Sequence, residues 1–540
     1  MDEFELLIAI VVGIFKLIRF IVVSIFRLIA GAFRFIGRAQ RGGELSPRKQ
    51  PERAAPPKLA KTGPAKPPAL PAARSAPTRA AADQVKTLSD ALSSLARNAE
   101  AESLACAREP ANAPFVPTLD GIARRANESV RAVAMGASGA QVAVVRAAAE
   151  QLENLLSVVK LMASERRNPA LTDLLGDSDA LAAACYRPIV DFCTARGIPL
   201  ASDRTATIIG GDKLYLLAVD DPSGLAPIVL PELWATDLGW WPALAHEIGH
   251  DFYLSIRGLD AELRNRLTLP RGKGLPSGGQ LTTRDVDSAV GAWQEELFAD
   301  AFGTFMLGPS YVSTMARLFA KPSAPNQACA AQRDDAGTGY EEHPPGHVRV
   351  AAACRLLARM GYGAEADRLE ATWRKLHGSP DRVFLPTRAN TWVAIDDQAL
   401  IARAHQLGAT LYETGLDVLN GIPLRSIPGL DFGPREHELA KAARETLAAG
   451  RRPANTRDPR LLIAGAVQAW VHDAARAPLI LQATRDAIDG LPADLRLRAS
   501  VRAAAEALAD ANTTPLLDAA LVRDAILLDA LLTRPRRKRA

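Results

Sequence analysis

The sequence predicts a mainly α-helical protein with a small antiparallel β-sheet, flanked by further helical regions. Three observations lead there. Hydrophobic residues make up 48% of the chain but aromatics only 5%, a balance that, with abundant alanine, suits closely packed helices better than a β-sandwich. Apolar residues recur at helical spacing, most clearly from about residue 140 to 166, where Val142, Val145, Leu152, Leu155, Val159 and Leu161 mark one helix. After Gly197 the period changes, and residues 206–209, 214–219 and 228–230 form short β-rich runs separated by Gly-Gly and Asp-Asp-Pro-Ser-Gly turns. The third run lies between Pro227 and Pro231, which cannot donate ladder hydrogen bonds, so it is expected at a sheet edge.

At 540 residues the chain is too long for one compact core. Five regions are expected: a membrane-associating helix over 1–40, a disordered linker rich in Pro, Ala and basic residues over 41–84, a helical region over 85–195, a metal-bearing domain over 196–380, and a C-terminal helical domain over 381–540 that ends in a basic tail. Residues 4–36 are apolar apart from Glu5, Lys16, Arg19, Arg27 and Arg34, with Ser24 and glycines between. At about 100° per residue these bases and Arg38 fall within an arc of about 100°. A cationic stripe on an apolar helix suits the membrane interface; spanning would put Lys16 and Arg19 near mid-bilayer, at about 2.5–3.5 kcal/mol each, unless an oligomer through this helix hides them. Asp2, Glu3 and Glu5 precede the helix and a basic spacer follows it. The positive-inside rule therefore predicts a membrane-associated protein whose main body is cytoplasmic.

The 65 Lys and Arg exceed the 60 Asp and Glu by only five, too little for a dedicated nucleic-acid binder of this size. No specific nucleic-acid partner is expected. Cys106, Cys185, Cys193, Cys329 and Cys354 show no CxxC spacing, which argues for reduced thiols and against a cysteine zinc site.

The decisive string is His246-Glu247-Ile248-Gly249-His250. Residues four apart on a helix share a face, so His246 and His250 can bind one Zn2+ while Glu247 lies beside it as a general base. A catalytic zinc keeps three protein ligands. The third is not a histidine downstream, since position 256 is isoleucine. Residues 285–306 read as one helix on which Glu296 and Asp300 share an otherwise apolar face, so Glu296 is expected as third ligand and Asp300 as the carboxylate holding the far nitrogen of a zinc histidine. Glu295, one position round, is expected to face solvent. The glycine-rich stretch 272–279 reads as a loop between the two zinc-bearing helices.

HExxH followed by Glu296-xxx-Asp300 resembles the gluzincins. His343-Pro344-Pro345-Gly346-His347-Val348-Arg349 sharpens the match, because this HPxxxxR spacing is similar to the membrane-associated metallopeptidases that include the CAAX prenyl endopeptidases and the bacterial heat-shock membrane proteases. The resemblance covers roughly residues 225–360. It implies an α+β zincin-like peptidase domain, and it implies that His343 and Arg349 lie by the active site and contact the substrate or transition state. The chain departs from that family in lacking a set of long transmembrane helices and in carrying Asp251 where an uncharged residue is usual.

The expected function is a membrane-tethered zinc endopeptidase acting on a peptide or protein substrate. Glu247 takes a proton from the zinc-bound water and passes it to the leaving amine; His343, Arg349 or Tyr340 steadies the oxyanion; the substrate adds as a strand along residues 228–230. Two other readings fit the same residues: a non-catalytic membrane-associated scaffold with a structural zinc, and a regulatory peptidase dedicated to one partner protein.

Overall fold

A computed structural model describes residues 79–491 apart from 110, 135–138, 211–212, 218–223, 271–273, 278–280, 321–327, 335–336 and 379. The expected membrane helix, most of the linker and the basic tail lie outside the described residues, as do parts of the glycine-rich loop. The described chain is mainly helical with two small sheets. Among the described residues no helix is long and apolar enough to cross a membrane.

The described residues fall into two compact units, one holding those up to Asn98 with Ile122–Asn154, the other Ala99–Gly121 with those from Leu155 on. The first draws on α1 (Arg79–Cys106), α2 (Val116–Ala134) and α3 (Gly139–Arg166). There α1 buries Leu88, Leu92 and Leu95, and α2 buries Ile122, Ala126 and Val133, each set at the three-and-four spacing that lines one helical face.

The second unit holds one continuous hydrophobic core. It opens with α4 (Pro169–Arg196), which starts at an Asn168 side-chain cap with Pro169 in its first turn and stops at Gly197, where φ of +64° suits a residue without Cβ. Next come β1 (Arg204–Ile209), β2 (Tyr215–Leu216) and β3 (Leu225–Leu230). The sheet is mixed, not purely antiparallel: β1 runs parallel to β3, β2 runs antiparallel to it, and the order is β1-β3-β2. The 228–230 run is therefore central, contrary to the edge position expected from its prolines. Pro227 is tolerated because it sits where the β2 ladder ends: Leu217 N–H donates to the Pro227 carbonyl at 2.8 Å, and only the return bond is missing. The open edges are β1 and β2, and on β1 the Thr207 and Ile209 N–H groups donate to Asp179 and Glu165.

Past the sheet, Trp234 and Trp241 stack at 5.4 Å and lead into α5 (Leu244–Ser255), α6 (Leu259–Arg266), α7 (Thr283–Ala292), α8 (Gln294–Leu307), α9 (Pro309–Phe319), α10 (Gly346–Arg359) and α11 (Gly363–Leu376). The single helix expected over 285–306 is two. The first helix ends at Trp293 and the second starts at Gln294, and just before the break Arg264 donates to the Gly291 carbonyl at 3.2 Å. A hairpin of β4 (Arg382–Pro386) and β5 (Trp392–Asp396) follows, then α12 (Asp397–Glu413), α13 (Pro434–Ala448), α14 (Pro459–His472) and α15 (Ala477–Asp489). Residues 196–380 and the described part of 381–540 share one unit. His347 is fully buried, gives Nε2 to Asp397 at 2.9 Å and accepts from Trp373 at Nδ1. Its ring ties α10, α11 and α12 together. All five cysteines are free and buried.

Candidate metal centre

Two crossing helices make the centre. On α5, Leu244, Ala245, Ile248 and Phe252 are buried, and Phe252 packs on Phe298 and Phe302 of α8. Gly249 faces α8 so closely that a Cβ there would lie 2.8 Å from the Ala299 Cα. Only glycine permits that approach. It brings Glu296 of α8 up to His246 and His250.

The facing donor atoms form a small triangle: His246 Nε2 to His250 Nε2 is 3.0 Å, His246 Nε2 to Glu296 Oε2 is 3.4 Å, and His250 Nε2 to Glu296 Oε1 is 3.3 Å. Two bonds of about 2.0–2.1 Å at a tetrahedral angle place donors about 3.3 Å apart. His246, His250 and Glu296 can thus hold a metal ion. Buried Glu296 Oε2 is met by no hydrogen bond, although the Arg349 guanidinium lies 3.1 Å away. Two imidazole nitrogens face each other across 3.0 Å with carboxylates behind both rings, an arrangement that a shared cation satisfies.

Those carboxylates come from α8. Asp300 Oδ1 is 3.1 Å from His246 Nδ1, and Glu295 Oε1 is 3.2 Å from His250 Nδ1. Glu295 was expected to face solvent; the kink at Trp293 puts it in the first turn of α8, turned toward the His250 ring and partly exposed. Tyr311 of α9 donates to Asp300 at 2.9 Å and sits 3.2 Å from His246 Nδ1. Nothing local in the sequence marked that tyrosine.

Arg349 does not stand as an open substrate contact. It is buried, clamps Asp300 through two bonds of 2.7 Å, approaches Glu296, and lies over the Phe319 ring at 4.7 Å. His343 is different: its side chain is 55% exposed, Nε2 lies 3.4 Å from Glu296 Oε1, and Nδ1 meets Glu341 at 2.9 Å. Trp293 holds that segment by donating to the Glu341 carbonyl at 3.1 Å. Tyr340 packs edge-on against Trp293 in the core, with its hydroxyl buried and unpartnered. Glu247 Oε2 accepts from the Leu216 N–H of β2 at 2.7 Å.

Burial and the nearby His250 oppose a charged His246 ring, yet hydrogen bonds to Asp300 and Glu296 hold it above the usual histidine range. Burial likewise opposes a charged His250, but the Glu296 charge and hydrogen bonds to Glu295 and Glu296 raise it well above that range. Asp300 and Glu296 stay ionised against burial, Asp300 chiefly through Arg349 and Glu296 through His250 and Arg349. Glu296 and Asp300 share the Arg349 guanidinium, Glu295 and Asp300 back the two rings, and Glu247 stands next to His246 in sequence. A divalent cation would offset most of the remaining negative charge.

No family profile matches this chain, and neither does any curated protein or solved structure.

Proposed function

We propose that the chain is a zinc-dependent endopeptidase of the gluzincin kind, tethered to a membrane by its N-terminal segment and similar to the CAAX prenyl endopeptidases and heat-shock membrane proteases. One observation carries the reading: a carboxylate that is not a ligand, Glu247, adjoins a three-ligand set whose approach is lined by an exposed histidine, His343. A purely structural zinc is usually closed by four ligands and needs no base beside it.

A bound zinc would supply a Lewis acid and a water made acidic enough to lose a proton near neutrality. The protein supplies the rest. Glu247 accepts that proton and returns it to the departing amine, and the Leu216 N–H fixes one of its oxygens meanwhile. The Glu341 hydrogen bond favours a protonated His343 against partial desolvation of the ring, and that ring offers an N–H to the developing oxyanion. Arg349 acts through Asp300 and Glu296, not on substrate. The 228–230 run is central in the sheet and cannot take an added strand, and on β2 the outward Leu216 N–H already serves Glu247.

Purified full-length protein assayed on a peptide mixture should cleave only when zinc-loaded. Glu247→Gln should keep its zinc and lose at least about 10²-fold in hydrolysis. Unchanged cleavage by that variant would remove Glu247 as the base, and a zinc-loaded wild type that cleaves nothing would favour the scaffold reading.

A further inference from the structure

We infer that Glu295 is a positioning residue of the metal centre, doing for His250 what Asp300 does for His246. The inference rests on the metal-binding part of the proposed function. Each histidine ring has two nitrogens, and the one that binds metal must be bare. Asp300 meets His246 Nδ1 at 3.1 Å and Glu295 meets His250 Nδ1 at 3.2 Å, while both Nε2 atoms point to the shared site. A carboxylate on Nδ1 keeps the proton there, orients the ring and makes Nε2 a stronger donor. One helix therefore delivers all three acids: Glu296 as ligand, with Glu295 and Asp300 behind one ring each. The two supports differ in setting. Asp300 is buried under Arg349 and Tyr311, whereas the Glu295 side chain is 34% exposed, so His250 is the ring whose support water can reach.

A rival role exists for Glu295, because an acid in the first turn of α8 also favours the helix N-terminus. Two substitutions separate the roles. Glu295→Asp keeps the charge but is one methylene too short to reach the ring; Glu295→Gln loses the charge but keeps the reach and an acceptor oxygen. Zinc affinity of the full-length protein is measured by competition with a chromogenic chelator at fixed neutral pH, beside the melting temperature of each metal-free variant. Positioning predicts that Glu295→Ala and Glu295→Asp weaken zinc binding by about 10–100-fold, with Glu295→Gln closer to wild type. Wild-type affinity in Glu295→Asp, or a loss in Glu295→Gln alone, would overturn the inference and leave the helix-end role. A wild-type chain that takes up no zinc would overturn the metal reading itself, and this inference with it.

Discussion

Arg349 and His343 stand within one motif and meet the centre from opposite sides of its desolvation. The Arg349 guanidinium is committed to two carboxylates, and all three side chains are nearly buried, so truncating it strands two buried charges. Arg349→Ala should cost about 3–5 kcal/mol in urea unfolding, and Arg349→Lys should not restore it, since an ammonium cannot make the paired bonds to Asp300. Stability close to wild type in Arg349→Ala would show that the clamp is dispensable. The exposed His343 should behave in reverse, with His343→Ala changing stability by no more than about 0.5 kcal/mol while turnover falls. Glu296→Ala should strip zinc more completely than Glu295→Ala, because a ligand is lost in one case and only its neighbour's support in the other. Equal zinc contents by metal analysis would undo the ligand assignment. His246, Glu247, His250 and the Glu296–Asp300 pair were readable from sequence because i, i+1 and i+4 spacing fixes a helical face locally. Tyr311 and the Leu216 N–H were not readable, since they reach the centre only through tertiary packing.

At the scale of elements, the contact that matters is α5 against α8. A methyl group at position 249 would press on the Ala299 Cα itself, so Gly249→Ala should force the helices apart, cost about 1–3 kcal/mol and weaken metal binding. Adding Ala299→Gly should not rescue it, because the nearest obstacle is backbone; full recovery of stability and metal affinity in the double variant would contradict the packing described. The helices and the three β-runs were legible from periodicity and turn residues. Their assembly was less so. An alternating run does not disclose its neighbour, and β3 inserts between β1 and β2 where an antiparallel sheet with that run at its edge was expected. Beside the break at Trp293 lies Arg264, whose side chain returns from 27 residues earlier to donate to the Gly291 carbonyl, a contact that no local spacing discloses.

For the whole molecule, two expectations concern solvent and place. Asp177 on α4 is pushed up from 3.8 to about 7, first by burial and then by Asp489, despite its bond to Arg485 of α15. A carboxyl raised on folding favours the native state only while it is protonated. Its penalty is absent below 3.8, grows as pH rises and is complete above about 7, where it is on the order of a few kcal/mol. Asp177→Asn should therefore gain on wild type in urea midpoint as pH climbs through that window, and a pH-independent difference would refute the coupling. Removal of residues 1–40 should release a soluble, zinc-loaded protein, whereas high salt should extract little full-length chain, because apolar burial supplies affinity that the bases only supplement. Full-length protein wholly soluble at low salt would exclude the tether. The centre described above also has an order in time. His246 and His250 leave the ribosome first, Glu295, Glu296 and Asp300 about fifty residues later, and Arg349 about fifty after that. At roughly 5–20 residues per second, the histidines wait several seconds or longer for the helix that completes them. Until then a nascent chain has two imidazoles and no third candidate ligand, so a metal held by all three could be gained only after a long stretch of protein is already in the open.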